Sequence, residues 1–405
     1  MGTVAPGKSW LDTLAGRQKT VEKLLSKPAD EQKKLGYFHT LREICRQPQT
    51  WRETCELVVR SAPALTRFLS GVRNIILTGS GSSEYAGESV RATLQAELRC
   101  NCSVIGAGTL LTDTNVVRAS MPQLMVSLAR SGDSPESVAA VSLMLELEPS
   151  VRHIVFTCNR DGALARTFGS NPNVHVVVLG ENTNDESLVM TSSFSNLALA
   201  ARFLGLTQYP DLYRSICNQA ADIAEGLLQS NVDDLAQLAT TGFTRAVFLG
   251  SGCRFGAARE TALKILEMCA GRVASVSETY LGLRHGPMSF LDENTVVVCY
   301  LSSDRTRRNY ELDLLRELDR KRLGCGKVIV GESIPGDVLR NGDVAVECPG
   351  LERLGDANAV FLDVVAGQLI ALFRCMREGL RPDWPSQDNV INRVVQSFPL
   401  YHGQT

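Results

Sequence analysis

The chain has 405 residues, 44% of them apolar and 21% charged, with 42 basic against 44 acidic side chains and a net charge of −2. At about 150 residues per domain this length holds two or three domains, enough to bury a core without disulfide or metal staples. The composition excludes disorder and collagen-like repeats, and the charge balance offers neither a basic nucleic-acid surface nor a membrane-binding charge block.

Residues 1–25 carry Lys8, Arg17, Lys19 and Lys23 but no apolar segment, so no signal peptide is expected. Residues 2–9 spell a Walker A pattern, yet a P-loop needs a strand feeding it and only Met1 precedes Gly2. Residues 1–50 are charged and helix-like, and read as an arm.

Beyond the arm, short apolar runs recur. Ile76-Leu77-Thr78-Gly79-Ser80-Gly81 returns 171 positions later as Val247-Phe248-Leu249-Gly250-Ser251-Gly252. Met125-Val126-Ser127-Leu128 matches Val296-Val297-Val298-Cys299 at the same offset. Residues 153–156 pair with 327–330, and 174–179 with 344–348, at nearby offsets. Short apolar runs between helix-length segments indicate buried parallel strands in βαβ units. The expected fold is α/β, with two doubly wound, three-layer αβα domains of flavodoxin-like type in tandem, at 51–206 and 241–380. Residues 207–240 read as a linker helix between them. Residues 381–405 form a tail whose apolar pairs Val390-Ile391 and Val394-Val395 predict docking near the active site. The longest apolar stretch noted, 197–206, is broken by Arg202 and too short to span a bilayer. The twelve cysteines are scattered, form no C-x-x-C and show no zinc spacing, which fits reduced thiols in a cytoplasmic protein.

In doubly wound sheets ligands bind beyond the carboxyl ends of the strands, so the residues after each apolar run are the informative ones. The first turn, Thr78-Gly79-Ser80-Gly81-Ser82-Ser83, lacks the third glycine of a dinucleotide fingerprint, and the equivalent glycine after Gly252 comes one place late. Its glycines allow a tight bend, its hydroxyls can donate, and a helix is expected near Glu84. A second hydroxyl-rich turn, Arg130-Ser131-Gly132-Asp133-Ser134, follows the next strand, with Pro135 suited to a first helical turn. A third, Thr191-Ser192-Ser193, opens a later helix. Two such turns at adjacent strand ends would converge on a small anion, most simply a phosphate monoester. Ordinary helix N-caps would use the same residues.

In the second half Cys253 and Arg254 replace Ser82 and Ser83. Glu260, Lys264 and Glu267 follow at i, i+4, i+7 and share one helix face. A buried carboxylate beside a lysine is a tuned acid–base pair, whereas a solvated stripe of the same spacing is only a salt bridge. His285 lies in the turn Gly282-Leu283-Arg284-His285-Gly286-Pro287, where it can face a ligand or serve structure alone.

Taken together, the two turns, the acid–base helix and the His-Gly-Pro turn resemble tandem SIS (sugar isomerase) domain proteins, and the isomerase half of glucosamine-6-phosphate synthase among them. Residues 129–137, Met190-Thr191-Ser192-Ser193-Phe194 and Asn392-Arg393-Val394-Val395-Gln396 are similar to the AgaS branch of galactosamine/tagatose 6-phosphate isomerase-deaminases. The resemblance implies phosphate binding by Gly81, Ser82, Ser83, Arg130, Ser131 and Ser134, with Thr191 or Ser192 near the sugar. It implies Glu267 as the C1–C2 base, Lys264 as its charged partner, and His285 as the ring-opening residue from the other subunit of a homodimer or dimer of dimers. Arg393 stands where the synthase has a tail lysine, and an arginine cannot form a Schiff base at neutral pH. The implied reaction turns galactosamine 6-phosphate into tagatose 6-phosphate and ammonia, without cofactor or metal. A ketose/aldose isomerase, a deglycase of an amine-linked sugar phosphate, and a sugar-phosphate-binding regulator without turnover are the other readings.

Overall fold

Branched apolar residues in short uninterrupted runs fit strands covered on both faces, and these runs form two parallel sheets. The computed structural model describes residues 9–113, 115, 123–386 and 388–401. The Walker-like glycines and lysine at 2–8 lie outside the described residues. The first sheet contains β1 (Asn74–Thr78), β2 (Asn101–Val104), β3 (Gln123–Ala129), β4 (Arg152–Thr157) and β5 (Val174–Val178), in the order β2-β1-β3-β4-β5. The second contains β6 (Arg245–Leu249), β7 (Ala274–Glu278), β8 (Thr295–Tyr300), β9 (Gly326–Gly331) and β10 (Val344–Glu347), in the order β10-β9-β8-β6-β7. Read from the other edge, the second sheet repeats the strand order of the first. Flanking helices complete the doubly wound architecture expected from sequence. In each sheet the winding reverses between two neighbouring strands, β1 and β3 or β6 and β8, which is where such folds bind ligands.

The chain forms two units. The first comprises residues 52–184, 193–214 and 388–401, and the second comprises 9–51, 185–192 and 215–386. Ile76, Met125, Val155 and Leu164 belong to the core of the first, and Val247, Val297, Leu315 and Ile329 to that of the second. Residues 9–51, read as an arm, are helical and group with the second unit. Asp233 ties them down by accepting from the Lys19 and Thr20 amides at 2.9 and 2.7 Å. The segment read as a linker is the Pro210–Ala239 helix.

One sequence expectation needs correction. The Asp356–Arg377 helix, not 197–206, is the described segment long and apolar enough to cross a membrane, and 94% of its apolar window is buried. It is a core helix of the second unit: a Cβ added at Gly367 would lie 2.2 Å from Thr261 Cγ2. The start of the tail is held by polar contacts. Asp383 accepts from the Thr40 amide and hydroxyl at 2.7 and 2.8 Å, while Val390 and Val395 stay 84% and 50% exposed.

The twelve cysteines are free thiols, with Cys325 the exposed one. Burial pushes Cys45, Cys102, Cys269 and Cys348 up to about 12, which leaves them unreactive.

His153 on β4 is fully buried, and among the described residues neither ring nitrogen has a hydrogen-bond partner. Burial pushes its imidazole down to about 4. The folded chain therefore keeps His153 neutral while the unfolded chain takes a proton near pH 6.5. This contribution to stability is complete above about pH 6.5 and is lost as the pH falls toward 4. Urea unfolding should show the wild type losing about 2 kcal/mol more than His153→Leu between pH 7.5 and 5. Parallel loss in the two proteins would refute the assignment.

Candidate active site

Backbone curvature builds the first turn. A Cβ on Gly79 would lie 2.7 Å from Ser83 Cβ, and Gly81 adopts a φ of +57°. The bend is sharp enough that the helix starts at Ser82, two residues before the expected Glu84. Ser82 and Ser83 thus sit in its first turn, each 5% exposed. The equivalent turn after β6 has the same form: Gly252 takes a φ of +59°, and a Cβ on Gly250 would lie 2.4 Å from the Arg254 carbonyl oxygen.

The second turn of the first unit follows β3. Ser131 Oγ accepts from the Asp133 amide at 3.2 Å, and Asn159 Nδ2 donates to the Ser131 carbonyl at 3.0 Å. Ser134 is the N-cap of the Pro135–Leu147 helix, but its hydroxyl makes no capping hydrogen bond. The ordinary capping role therefore does not account for Ser134. Arg130 is buried and donates to the carbonyl of Arg393, while Arg393 donates to Asn184 Oδ1 at 2.8 Å. The fold thus brings Arg130 and Arg393 together through the tail backbone. Sequence reasoning placed Thr78 in the first hydroxyl-rich turn but missed Ser127. They are register partners on β1 and β3, both are buried, and among the described residues neither hydroxyl has a hydrogen-bond partner. For Ser127 the available signal was a hydroxyl inside an otherwise apolar strand run.

The acid–base helix of the second unit is Arg254–Met268. Lys264 and Glu260 are fully buried, and Lys264 Nζ lies 3.4 Å from Glu260 Oε1. Lys264 Nζ also donates to Glu267 Oε2, and the Glu267 side chain is 24% exposed. The face predicted from spacing is thus a buried cation between two carboxylates, not a solvated stripe. Glu267 is the member of the group that reaches solvent. His285 ends the Gly282–His285 turn and is exposed. Gly286, with a φ of +124°, turns the chain directly after it.

Thr191 and Ser192 also lie in the second unit, and both are fully buried. The Thr191 amide donates to Asp185 at 2.7 Å, its carbonyl accepts from Gln368 at 3.1 Å, and Ser192 Oγ lies 3.3 Å from Thr50 Oγ1. Glu43, which sequence gave no reason to single out, clasps the same segment. It accepts from the Glu186 and Ser187 amides at 2.7 and 3.1 Å. Burial, then the neighbouring Asp185 carboxylate, pushes Glu43 up to about 8. Thr191 and Ser192 are held as parts of this clasp.

Among the described residues no group of three or more His, Cys, Asp or Glu side chains could hold a metal ion.

Two doubly wound units with hydroxyl-rich turns at the strand ends define a tandem SIS-type protein. The chain matches the SIS domain family over residues 68–200. A Streptomyces coelicolor relative bearing the AgaS name is 39% identical over 371 residues, covering 90% of this chain and 95% of the relative. D-galactosamine-6-phosphate deaminase AgaS of Escherichia coli O157:H7 is 33% identical, covering 90% of this chain and 96% of that protein. The crystal structure of tagatose-6-phosphate ketose/aldose isomerase from Escherichia coli superposes with a TM-score of 0.82 at 30% identity, covering 90% and 97% of the two chains. The chain belongs to the AgaS family of SIS-domain proteins.

Proposed function

We propose that the chain is an isomerising deaminase that converts galactosamine 6-phosphate to tagatose 6-phosphate and ammonia. The observation that carries this reading is the partly exposed Glu267 carboxylate held by the buried Lys264 ammonium. The likeness to the AgaS deaminases supports the substrate class.

In this reading Ser82, Ser83, Ser131 and Ser134 hold the phosphate with the amides of their turns. His285 moves the proton that opens the sugar ring. Glu267 removes the C2 proton, and the Lys264 charge stabilises the resulting enolamine. Reprotonation at C1 leaves an imine at C2, and water hydrolyses it to the ketose and ammonia. Arg130 and Arg393 shape the anchor by fixing the tail. His285 acts on the substrate of a second copy of the chain, which fits its exposure.

A second reading, ketose/aldose isomerisation of tagatose 6-phosphate, is favoured by the likeness to the Escherichia coli tagatose-6-phosphate ketose/aldose isomerase. It uses the same groups and releases no ammonia. Purified protein should release ammonia from galactosamine 6-phosphate, and none released would favour the isomerase. Glu267→Gln should lower kcat by at least about 10³-fold and leave substrate binding nearly intact. A near-normal rate would remove Glu267 as the base. Ser131→Ala should raise KM for the phosphorylated substrate about tenfold, a loss of ~1–2 kcal/mol, and an unchanged KM would move the phosphate elsewhere. Mixing inactive Glu267→Gln with inactive His285→Ala protein should restore activity through mixed assemblies; no recovery after subunit exchange would place His285 in its own chain's site.

A further inference from the structure

The turn after β8 in the second unit, Ser302-Ser303-Asp304, stands where Ser131-Gly132-Asp133 stands after β3. The likeness extends to the hydrogen bonds. The Asp304 amide donates to Ser302 Oγ at 3.1 Å, as the Asp133 amide donates to Ser131 Oγ at 3.2 Å. A helix starts beyond each turn, Arg305–Lys321 in the second unit and Pro135–Leu147 in the first.

The turn in the second unit already holds an anion, and it belongs to the chain. Asp356, the first residue of the Asp356–Arg377 helix, is 7% exposed. Its Oδ1 accepts from the Ser303 amide at 2.7 Å and from Ser303 Oγ at 2.9 Å. Its Oδ2 accepts from Ser302 Oγ and from Arg307 at 3.0 Å. Arg254, fully buried at the position equivalent to Ser83, stands 3.8 Å from Oδ1. Arg254 is itself anchored on Asp363, through Nε at 2.8 Å and a second nitrogen at 2.5 Å. An amide, two hydroxyls and two guanidinium groups converging on one point are a donor set for a tetrahedral oxyanion. Burial works against the charge on Asp356, yet Arg254 and the Ser302 and Ser303 donors hold its carboxyl below the usual range.

We propose that Asp356 is the built-in ligand of an oxyanion site at the switch point of the second sheet. While its carboxylate is in place the site is closed to other anions. With the carboxylate removed, the same donors take inorganic phosphate or a phosphate monoester. This does not depend on the activity proposed above, because every group named lies in the second unit and the read-out is binding.

The test is chemical rescue of Asp356→Ala. The variant should melt several degrees below the wild type, because a buried donor set has lost its acceptor. Inorganic phosphate should recover at least half of that loss. Sodium chloride at equal ionic strength should recover none, and the wild type should gain less from phosphate than the variant does. Adding Arg307→Gln to the variant should weaken phosphate rescue at least threefold. Equal effects of phosphate and chloride on Asp356→Ala would overturn the proposal, as would rescue unaffected by Arg307→Gln. If Asp356→Ala is recovered only unfolded, its refolding yield from urea is compared in phosphate and in chloride, and equal yields likewise overturn it.

Discussion

A charge placed beyond the reach of water must be met by opposite charge, and this constraint shapes the second unit. Lys264 is fully buried against Glu260 and Glu267, Arg254 against Asp363, and Lys327 against Asp343 at 2.7 Å. Removing one partner from such a pair strands the other and typically costs about 3–5 kcal/mol. Each pair therefore fixes where its backbone can lie. The Arg254–Met268 helix carries two of these cations, so its placement is set by charge as well as by packing. The close approach of Gly367 to Thr261 then leaves the helix little freedom to slide.

The first unit solves the equivalent problem without buried charge in its turns after β1 and β3, apart from Arg130. Its donors there are hydroxyls and backbone amides. A proposed anionic substrate meets no strong positive field, consistent with a net charge of −2. Holding a dianion with neutral donors favours groups aimed by the backbone, and the tight turn at Gly79 and Gly81 supplies that aim. Arg130 spends its guanidinium on the tail carbonyl of Arg393, so its charge also serves to position a neighbouring segment.

Much of the fold was legible in the sequence because buried parallel strands are written as uninterrupted apolar runs. β1, β3, β4 and β5, with β6, β8, β9 and β10, could be read in this way. β2 and β7 could not, because Asn101, Ser103, Ser275 and Ser277 interrupt their apolar runs. The Asp356–Arg377 helix hid for a different reason. Asp363 and Gln368 break its apolar pattern, and their partners lie far away in sequence: Arg254 for Asp363, Gln47 and Thr191 for Gln368. The Glu260, Lys264 and Glu267 face was readable because helical spacing alone places the three together. The Glu43 clasp on residues 185–192 was not, since no local pattern links positions so far apart in the chain.

The two units share a strand order and a turn geometry, yet the equivalent turns serve different ends. After β6, Cys253 and Arg254 replace the hydroxyls of Ser82 and Ser83. A guanidinium at that position cannot remain unpaired in the core, so it needs carboxylates within reach. Asp363 and Asp356 supply them from one helix, and Asp356 also satisfies the turn after β8. The replacement of a serine by an arginine and the closure of the turn by Asp356 are therefore physically one change. Once Arg254 is present, a carboxylate at Asp356 is drawn into the place that an external anion would take. The chemistry proposed for the second unit is then free to lie elsewhere on the Arg254–Met268 helix, at Lys264 and Glu267.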